Sequence, residues 1–319
     1  MPVRLLGWPG GVGGTETPRL GALGPARRSP ALGSLCGMEQ TVVVGGRGVA
    51  YTWVEGAGVG AALVLVHGHT GAKEDFAGVL GALAEDRPVV AVDLPGHGGS
   101  EAPDSPAGYE LGRLAEWLLA FAGVTGLDRF HLLGHSMGGL VAQRAAVAAP
   151  ERLASLTLMG SGLGALRAEA LEFIGRVAAV ARTHGAAAAF EEGMRGWAEA
   201  PVDDELKARR AADVDYLRRR YARLDPAAIW AGAEQLAVAE AVADRLRLDA
   251  PVLVVHGEHD YAWEPPEQEA LAAAIPGARR ASIPVSYHSP QKENPEAWLA
   301  VVRDFLRDAD TARQGAATG

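Results

Sequence analysis

The sequence has very little cysteine: Cys36 is the single one among 319 residues. One cysteine cannot form an intramolecular disulfide, so nothing indicates an oxidising compartment. Long hydrophobic runs are also missing, since no apolar stretch approaches the roughly 20 residues of a membrane-spanning helix. Positive charge is in deficit, with 30 Lys and Arg against 39 Asp and Glu, a net charge of −9. These shortages argue against membrane spans and nucleic-acid partners and predict a cytoplasmic protein.

Apolar residues are plentiful, at 48% of the chain, and charged residues make up an ordinary 22%. A chain of this length and composition can bury one large core. Residues 1–37 are rich in Gly, Pro and Arg and show no periodic pattern, so we predict a disordered leader there, with the functional protein beginning at Met38. The polar residues 309–319 are likewise predicted to be a disordered tail.

From Met38 onward, short apolar runs alternate with segments of helical periodicity. The runs are typical of strands buried on both faces, and the alternation predicts a mostly parallel sheet with flanking helices. Strands are predicted at 41–44, 49–54, 63–66, 88–92, 130–133, 153–159, 252–255 and 280–283. Helices are predicted at 73–84, 109–121, 137–149, 266–274 and 295–308.

Residues 161–237 interrupt this alternation, because they show helical patterns only. The α/β core is therefore predicted to consist of residues 38–160 and 238–308, with an all-helical insertion between two of its strands. Open α/β sheets bind ligands at the carboxyl ends of their strands. A helical insertion at this point predicts a lid over that edge.

The segment Gly134-His135-Ser136-Met137-Gly138 leads from a predicted strand into a predicted helix. This is the G-x-S-x-G pattern in the strand–turn–helix context that a nucleophilic serine requires. Glycines before and after the serine allow a very tight turn, which exposes its hydroxyl. The first N–H groups of the helix have no helical acceptor, so the N–H of Met137 can bind an oxyanion. We therefore predict Ser136 as nucleophile.

These residues resemble the nucleophile turn of the α/β-hydrolase superfamily. Two further segments are similar to that superfamily: His67 to Gly71 after one strand, and Asp93 to Ser100 after the next. The resemblance extends from about residue 40 to 308 and implies a sheet of the eight-stranded type. It also implies that the backbone N–H of His69 is the second oxyanion donor. We expect the imidazole ring of His69 to be solvated.

In this superfamily the order along the chain is serine, then a carboxylate, then histidine. His288 lies in a loop between the last predicted strand and the last helix, so it can reach the same sheet edge and is predicted as the base. The resemblance implies that Asp260, which follows the strand after the insertion, is the acid that orients the histidine. Glu258 is the competing carboxylate.

A serine nucleophile favours acyl transfer to water without a metal or cofactor. We expect a small or medium ester or lactone as substrate, in a pocket lined by Tyr261, Trp263, Tyr287 and Trp197.

Carbon–carbon-bond hydrolysis, or lyase chemistry like that of the menaquinone-pathway synthases, stays an alternative. Against the latter, Leu140 stands where those synthases carry an arginine. A ligand receptor with a slow triad is a third possibility, and the oligomeric state stays open.

Overall fold

Eight strands form one sheet in the computed structural model, which describes residues 38–58, 60–199 and 204–317. Strand β2 is antiparallel to β1 and β4, whereas the other neighbouring pairs are parallel. The predicted fold class, a mostly parallel α/β sheet, is therefore confirmed. In sheet order the strands are β1 (Met38–Val44), β2 (Arg47–Val54), β4 (Val89–Val92), β3 (Leu63–Val66), β5 (Phe130–His135), β6 (Leu153–Met159), β7 (Val252–Gly257) and β8 (Arg279–Ile283).

The α-helices cover both faces of this sheet or form the insertion after β6. None of those in the described part of the chain is long and apolar enough to cross a membrane. In chain order they are α1 (Leu80–Ala84), α2 (Leu111–Val124), α3 (Met137–Ala148), α4 (Ala168–Glu199), α5 (Asp204–Ala212), α6 (Val214–Tyr221), α7 (Pro226–Val238), α8 (Pro265–Ala274), α9 (Pro290–Glu293) and α10 (Pro295–Ala317).

Alternate residues of the central strands belong to two different apolar layers. Val64 and Val66 of β3 pack with α2 and α3 on one face. Leu63 and Leu65 of the same strand pack with α1 and α10 on the other face. All four side chains have no exposed surface. Burial on both faces explains why β3 is continuously apolar instead of alternating with polar residues.

Two segments differ from the sequence prediction. Residues 73–84 were expected to be one helix, but they form a 3₁₀ turn at Lys73–Phe76 and then the short α1. Residues 309–317 were expected to be disordered, but α10 continues through them to Ala317. The extension is held because Asp310 bonds Arg87 at 2.7 Å and His131 at 3.0 Å. The predicted disordered leader lies outside the described residues.

The insertion between β6 and β7 consists of helices α4 to α7 in its described part, as the sequence predicts. Helix α4 is interrupted at Gly185, where φ is 83° and ψ is 178°. The insertion has an apolar cluster of its own, which includes Val177, Phe190, Leu217 and Ile229. Helices α4, α6 and α7 share this cluster, so the insertion packs around a core of its own, which is the construction expected of a lid.

Candidate active site

Ser136 lies at the junction of β5 and α3, at the carboxyl edge of the parallel strands. Its backbone has φ 55° and ψ −122°, a conformation that residues other than glycine rarely adopt. The turn is held on both sides, since Ser136 N–H donates to the Met159 carbonyl at 2.8 Å and Gly139 N–H donates to the Ser136 carbonyl at 2.8 Å. The hydroxyl is thereby placed beyond the strand end, above the first turn of α3.

Glycines are required around this turn because backbone approaches backbone. A Cβ atom at Gly134 would lie 2.2 Å from the Gly138 carbonyl oxygen, and one at Gly138 would lie 2.4 Å from the His67 carbonyl oxygen. A Cβ atom at Gly68 would lie 2.8 Å from Ser136 Cβ. The loop after β3 therefore runs directly beside the serine, which only glycine at these positions permits.

The structure brings His288 and Asp260 together from two separate loops. Asp260 follows β7, His288 follows β8, and His288 Nδ1 lies 2.9 Å from Asp260 Oδ1. A carboxylate can only accept, so Nδ1 carries the proton and Nε2 is left to act as a base. The Asp260 residue is 3% exposed. The competing carboxylate, Glu258, accepts instead from the Val285 N–H at 3.0 Å.

His288 is also tied to the residue before Ser136. The Nε2–H of His135 donates to the His288 carbonyl at 2.8 Å, and the two imidazole rings are 4.9 Å apart. Burial, together with the nearby His288, lowers the pKa of His135 to about 4, so the His135 ring is neutral near pH 7. The loop that carries His288 is thus bonded directly to the nucleophile turn.

His69 and Met137, the two predicted oxyanion donors, are both covered by lid helix α7. A Cβ atom at Gly232 of this helix would lie 2.8 Å from His69 Cδ2 and 3.6 Å from Met137 Sδ. The expectation that the His69 ring is solvated was wrong, because Nε2–H donates to the Ile229 carbonyl of α7 at 2.7 Å. Burial lowers the pKa of His69 to about 4, so this lid contact is made by a neutral ring.

Backbone strain is concentrated in the loops of this site. Among the described residues, the non-glycine residues with positive φ are Thr70 at 55°, Ser136 at 55° and Val285 at 51°. Thr70 follows His69, and Val285 lies three residues before His288. For a β-branched residue such as Val285 this conformation is a genuine outlier. Strained residues that the surrounding fold holds in place cluster at functional sites.

Of the four predicted pocket residues, Tyr261 lies against His288, and Trp197 lies against Tyr261. Tyr261 is 37% exposed, and its ring lies 5.6 Å from the ring of His288. Trp197 of lid helix α4 packs edge-on against Tyr261 at 5.5 Å. The Tyr287 ring lies against His259 at 5.6 Å. Trp263 was expected to line the pocket, but it is 1% exposed and belongs to the core, since its indole fills the space over Gly162.

Sequence reasoning missed a buried ionic contact between the lid and residues 67–75 after β3, the predicted oxyanion loop that carries His69. Asp75 accepts from Arg220 Nη1 at 2.9 Å and from the Tyr216 hydroxyl at 2.9 Å, both on α6. Burial alone would raise the pKa of Asp75, but the charges of Arg220 and Lys292 outweigh burial and lower it to about 2. No local sequence motif predicts this contact, because Tyr216 and Arg220 lie 141 and 145 positions from Asp75 along the chain.

Gln268 of α8 was also missed, although the sequence contains a signal for it. Gln268 and Leu271 are three residues apart, so they share one face of the helix, and both have no exposed surface. A polar residue on an otherwise buried face must find a partner. That partner is Asp260, whose Oδ2 accepts from Gln268 Nε2 at 2.9 Å.

The chain is similar to proteins that carry out several kinds of reaction on one fold. The family model for the alpha/beta hydrolase fold matches residues 61–295. A dihydrolipoyllysine-residue acetyltransferase component of the acetoin cleaving system from Pseudomonas putida is 34% identical, over 84% of this chain and 69% of its own. A candidate 2-succinyl-6-hydroxy-2,4-cyclohexadiene-1-carboxylate synthase from Bacillus subtilis is 28% identical, over 79% of this chain and 92% of its own. Among solved structures, the enol-lactonase from Burkholderia xenovorans aligns with a TM-score of 0.73 and 25% identity, over 84% of this chain and all of that one.

Proposed function

Because this chain belongs to the α/β-hydrolase fold family, we propose that it is a serine hydrolase that cleaves a small or medium carboxylic ester or lactone. The observation that carries the proposal is the Asp260–His288 hydrogen bond of 2.9 Å, made in a loop that is itself bonded to the nucleophile turn. A carboxylate–histidine pair beside a serine on a strained turn is the arrangement that acyl transfer needs.

In the proposed reaction Ser136 Oγ attacks the carbonyl carbon while His288 Nε2 takes its proton. Asp260 keeps the proton on Nδ1 and stabilises the imidazolium that forms. The N–H groups of His69 and Met137 hold the oxyanion, and each such donor contributes about 3–4 kcal/mol to the transition state. The imidazolium then protonates the leaving alkoxide, which departs as the alcohol. In the second half of the reaction His288 Nε2 takes a proton from water as the water attacks the acyl-enzyme, and the proton passes to Ser136 Oγ as the acid is released.

The lid supports a bounded, partly apolar pocket. Helix α7 covers both proposed oxyanion donors, and Trp197 of α4 reaches Tyr261 beside the base. Each methylene that fits such a pocket adds about 0.8 kcal/mol of binding, whereas one that does not fit clashes. In a series from acetyl to palmitoyl esters, we expect kcat/KM to rise to medium lengths and then fall. A flat profile would mean an open groove.

Acyl transfer to a thiol or alcohol acceptor is a second candidate. It is favoured by the similarity to the acetyltransferase component, which covers 84% of this chain. Both reactions pass through the same acyl-enzyme and differ in what releases the acyl group. The synthase-type lyase has less support, because Leu140 is fully buried in the core. Leucine has neither the charge nor the hydrogen-bond donors that binding a substrate carboxylate requires.

The proposal is tested by replacing the nucleophile and mapping its reactivity. Ser136→Ala should lower turnover of p-nitrophenyl esters by at least about 10⁴-fold, because the covalent intermediate can no longer form. The matched control is Ser155→Ala, since Ser155 is also buried but bonds His131 at 2.8 Å instead of the site. A fluorophosphonate probe should label Ser136, as located by mass spectrometry.

Three outcomes separate the candidates. Labelling at another residue would overturn the proposal. Labelling of Ser136 without turnover of any ester, lactone or diketone would favour a receptor. Faster acyl release with a dithiol than with water would favour transfer.

A further inference from the structure

Asp260 receives hydrogen bonds on both of its oxygens. His288 Nδ1–H and the Ala262 N–H donate to Oδ1 at 2.9 Å and 3.0 Å. The Gln268 side chain donates to Oδ2 at 2.9 Å. The carboxylate is 3% exposed, so these donors replace the water that would otherwise solvate it. Of the three, Gln268 acts on the oxygen that does not face the histidine.

The orientation of the Gln268 amide is fixed by its partners. Nε2 donates to Asp260 Oδ2 and also to the Trp263 carbonyl at 2.8 Å, and both of these groups can only accept. Oε1 therefore points the other way, where it is buried and has no hydrogen-bond partner among the described residues. An unpaired buried acceptor lowers the stability of the fold. The two hydrogen bonds that Nε2 donates are the contacts of this amide that can offset the cost.

We propose that Gln268 is a positioning residue for the reaction: its amide holds Asp260 so that Oδ1 faces His288. The inference rests on the proposed function only in taking His288 as the base. A neutral donor suits this task, because it fixes the carboxylate without adding a positive charge that would compete with the imidazolium. Arginine at the same place would fix the carboxylate but neutralise it.

Removing the donor should loosen the orientation of Asp260 and leave its Oδ2 without the hydrogen bond from Gln268. Methionine is an unbranched apolar replacement of similar length. In Gln268→Met no amide donor offsets the negative charge at Oδ2, so Asp260 should stabilise the His288 imidazolium more strongly than in the parent protein. The titration midpoint of His288 should rise by at least about 0.5 pH unit. Looser orientation should lower kcat about tenfold with KM changed less than twofold. Other titratable groups close to His288 are His135, Tyr261 and Glu293, whose carboxylate accepts from the Tyr287 N–H and the Ser289 N–H, and these variants leave all three in place.

The experiment is an NMR titration of the full chain labelled with ¹⁵N-histidine, with His288 identified by its loss in His288→Asn. The matched control is Gln143→Met. Gln143 is also fully buried, donates to the Gly162 carbonyl at 3.0 Å and leaves its Oε1 unpaired, but it does not bond Asp260. The control should leave the midpoint of His288 and kcat unchanged. Equal midpoints and equal kcat in Gln268→Met and Gln143→Met would overturn the proposal.

Gln268→Glu is a second variant with the same shape, which keeps the test decisive if the methionine variant does not fold. Two carboxyls this close share one proton, and the protonated glutamate restores a donor to Asp260. The kcat of this variant, compared with that of the parent protein at the same pH, should therefore be nearly equal at low pH and progressively lower as pH rises. A purely structural role predicts no such change in the ratio. A profile parallel to that of the parent would overturn the proposal. Because the titration needs no turnover, an unreactive Ser136 would reject the proposed function and still leave Gln268 tested.

Discussion

Gly138 connects the nucleophile turn to the oxyanion loop at the scale of single atoms. A Cβ atom there would lie 2.4 Å from the His67 carbonyl oxygen and 2.6 Å from the Val66 carbonyl oxygen. Both neighbours are backbone atoms of β3 and its loop, so neither can move without moving the strand. One methyl group at this position therefore has to push α3 away from the loop that carries His69.

Gly138→Ala should destabilise the fold by about 3 kcal/mol, because overpacking against rigid backbone is not relieved by a side-chain rotation. The control is Gly123→Ala in α2, where an added Cβ meets no atom within 4 Å. That variant should be more stable than the parent by about 0.5–1 kcal/mol, since alanine loses less backbone entropy in a helix. Urea unfolding of both variants measures the difference. Equal stabilities would contradict the steric argument.

Local chemistry explains why some site residues could be predicted and others could not. The turn at Ser136 needs small residues within a few positions of the serine, so a short local sequence pattern is enough to predict it. Asp260 was predicted from the family resemblance, and His288 from the family's chain order together with its place after the last predicted strand. Gln268 and Asp75 are different, because their partners are brought near only by the packing of α8 and α6. Trp263 was misassigned for a related reason, since its neighbours in sequence do not reveal that Gly162 leaves space for its indole.

At the scale of elements, the boundary between lid and core is held by a buried ion pair. Asp75 and Arg220 have side-chain exposures of 9% and 10%. Asp75 also accepts from the Ala72 N–H of the oxyanion loop at 3.1 Å and lies 4.0 Å from Lys292 of α9. One carboxylate thus connects the lid, the oxyanion loop and the helix that follows His288. Removing Asp75 takes away the carboxylate partner of the buried Arg220, and removing Arg220 leaves the buried Asp75 with only the more distant charge of Lys292.

Arg220→Met and Asp75→Asn should each lower the free energy of unfolding by about 3–5 kcal/mol. The double variant should recover much of this loss, because it buries no unpaired charge. Arg113→Met is the control: its partner Glu116 and Arg113 itself are 67% and 66% exposed, and exposed pairs contribute less than about 1 kcal/mol. Losses that simply add in the double variant would show that the two side chains do not act as a pair.

The helical structure of the insertion was predicted from the sequence, but its contacts with the core were not. Helical periodicity is local, so the absence of strand patterns over 161–237 was enough to predict an all-helical insertion. How the helices meet the core was not predictable. The hydrogen bond from His69 to the Ile229 carbonyl spans 160 positions. Every residue has a backbone carbonyl, so the residue type at position 229 does not indicate that it accepts this bond.

For the whole molecule, acid stability is set by buried neutral histidines. Burial lowers the pKa of His67, His69 and His135 to about 4 and that of His97 to about 3, against 6.5 for an ordinary histidine. In the folded chain these rings stay neutral well below pH 6, whereas in the unfolded chain they take up protons near 6.5. Their contribution to stability is therefore complete above about pH 6.5 and is lost as pH falls toward 4.

We expect the free energy of unfolding to be constant above about pH 7.5 and to fall steeply between pH 6.5 and 5. Each histidine contributes up to about 1.4 kcal/mol per pH unit to this slope, because the unfolded state binds one more proton per ring. His97→Asn tests the assignment, since asparagine does not titrate and can still donate to the Pro95 carbonyl, which His97 Nδ1 contacts at 2.9 Å. Urea unfolding at intervals from pH 7.5 to 5 should show a slope in this variant that is lower by about one proton. Asp75, whose pKa is lowered, loses its contribution only below about pH 4 and does not affect this window. A parent protein equally stable at pH 7 and pH 5 would contradict the burial of these rings as neutral groups.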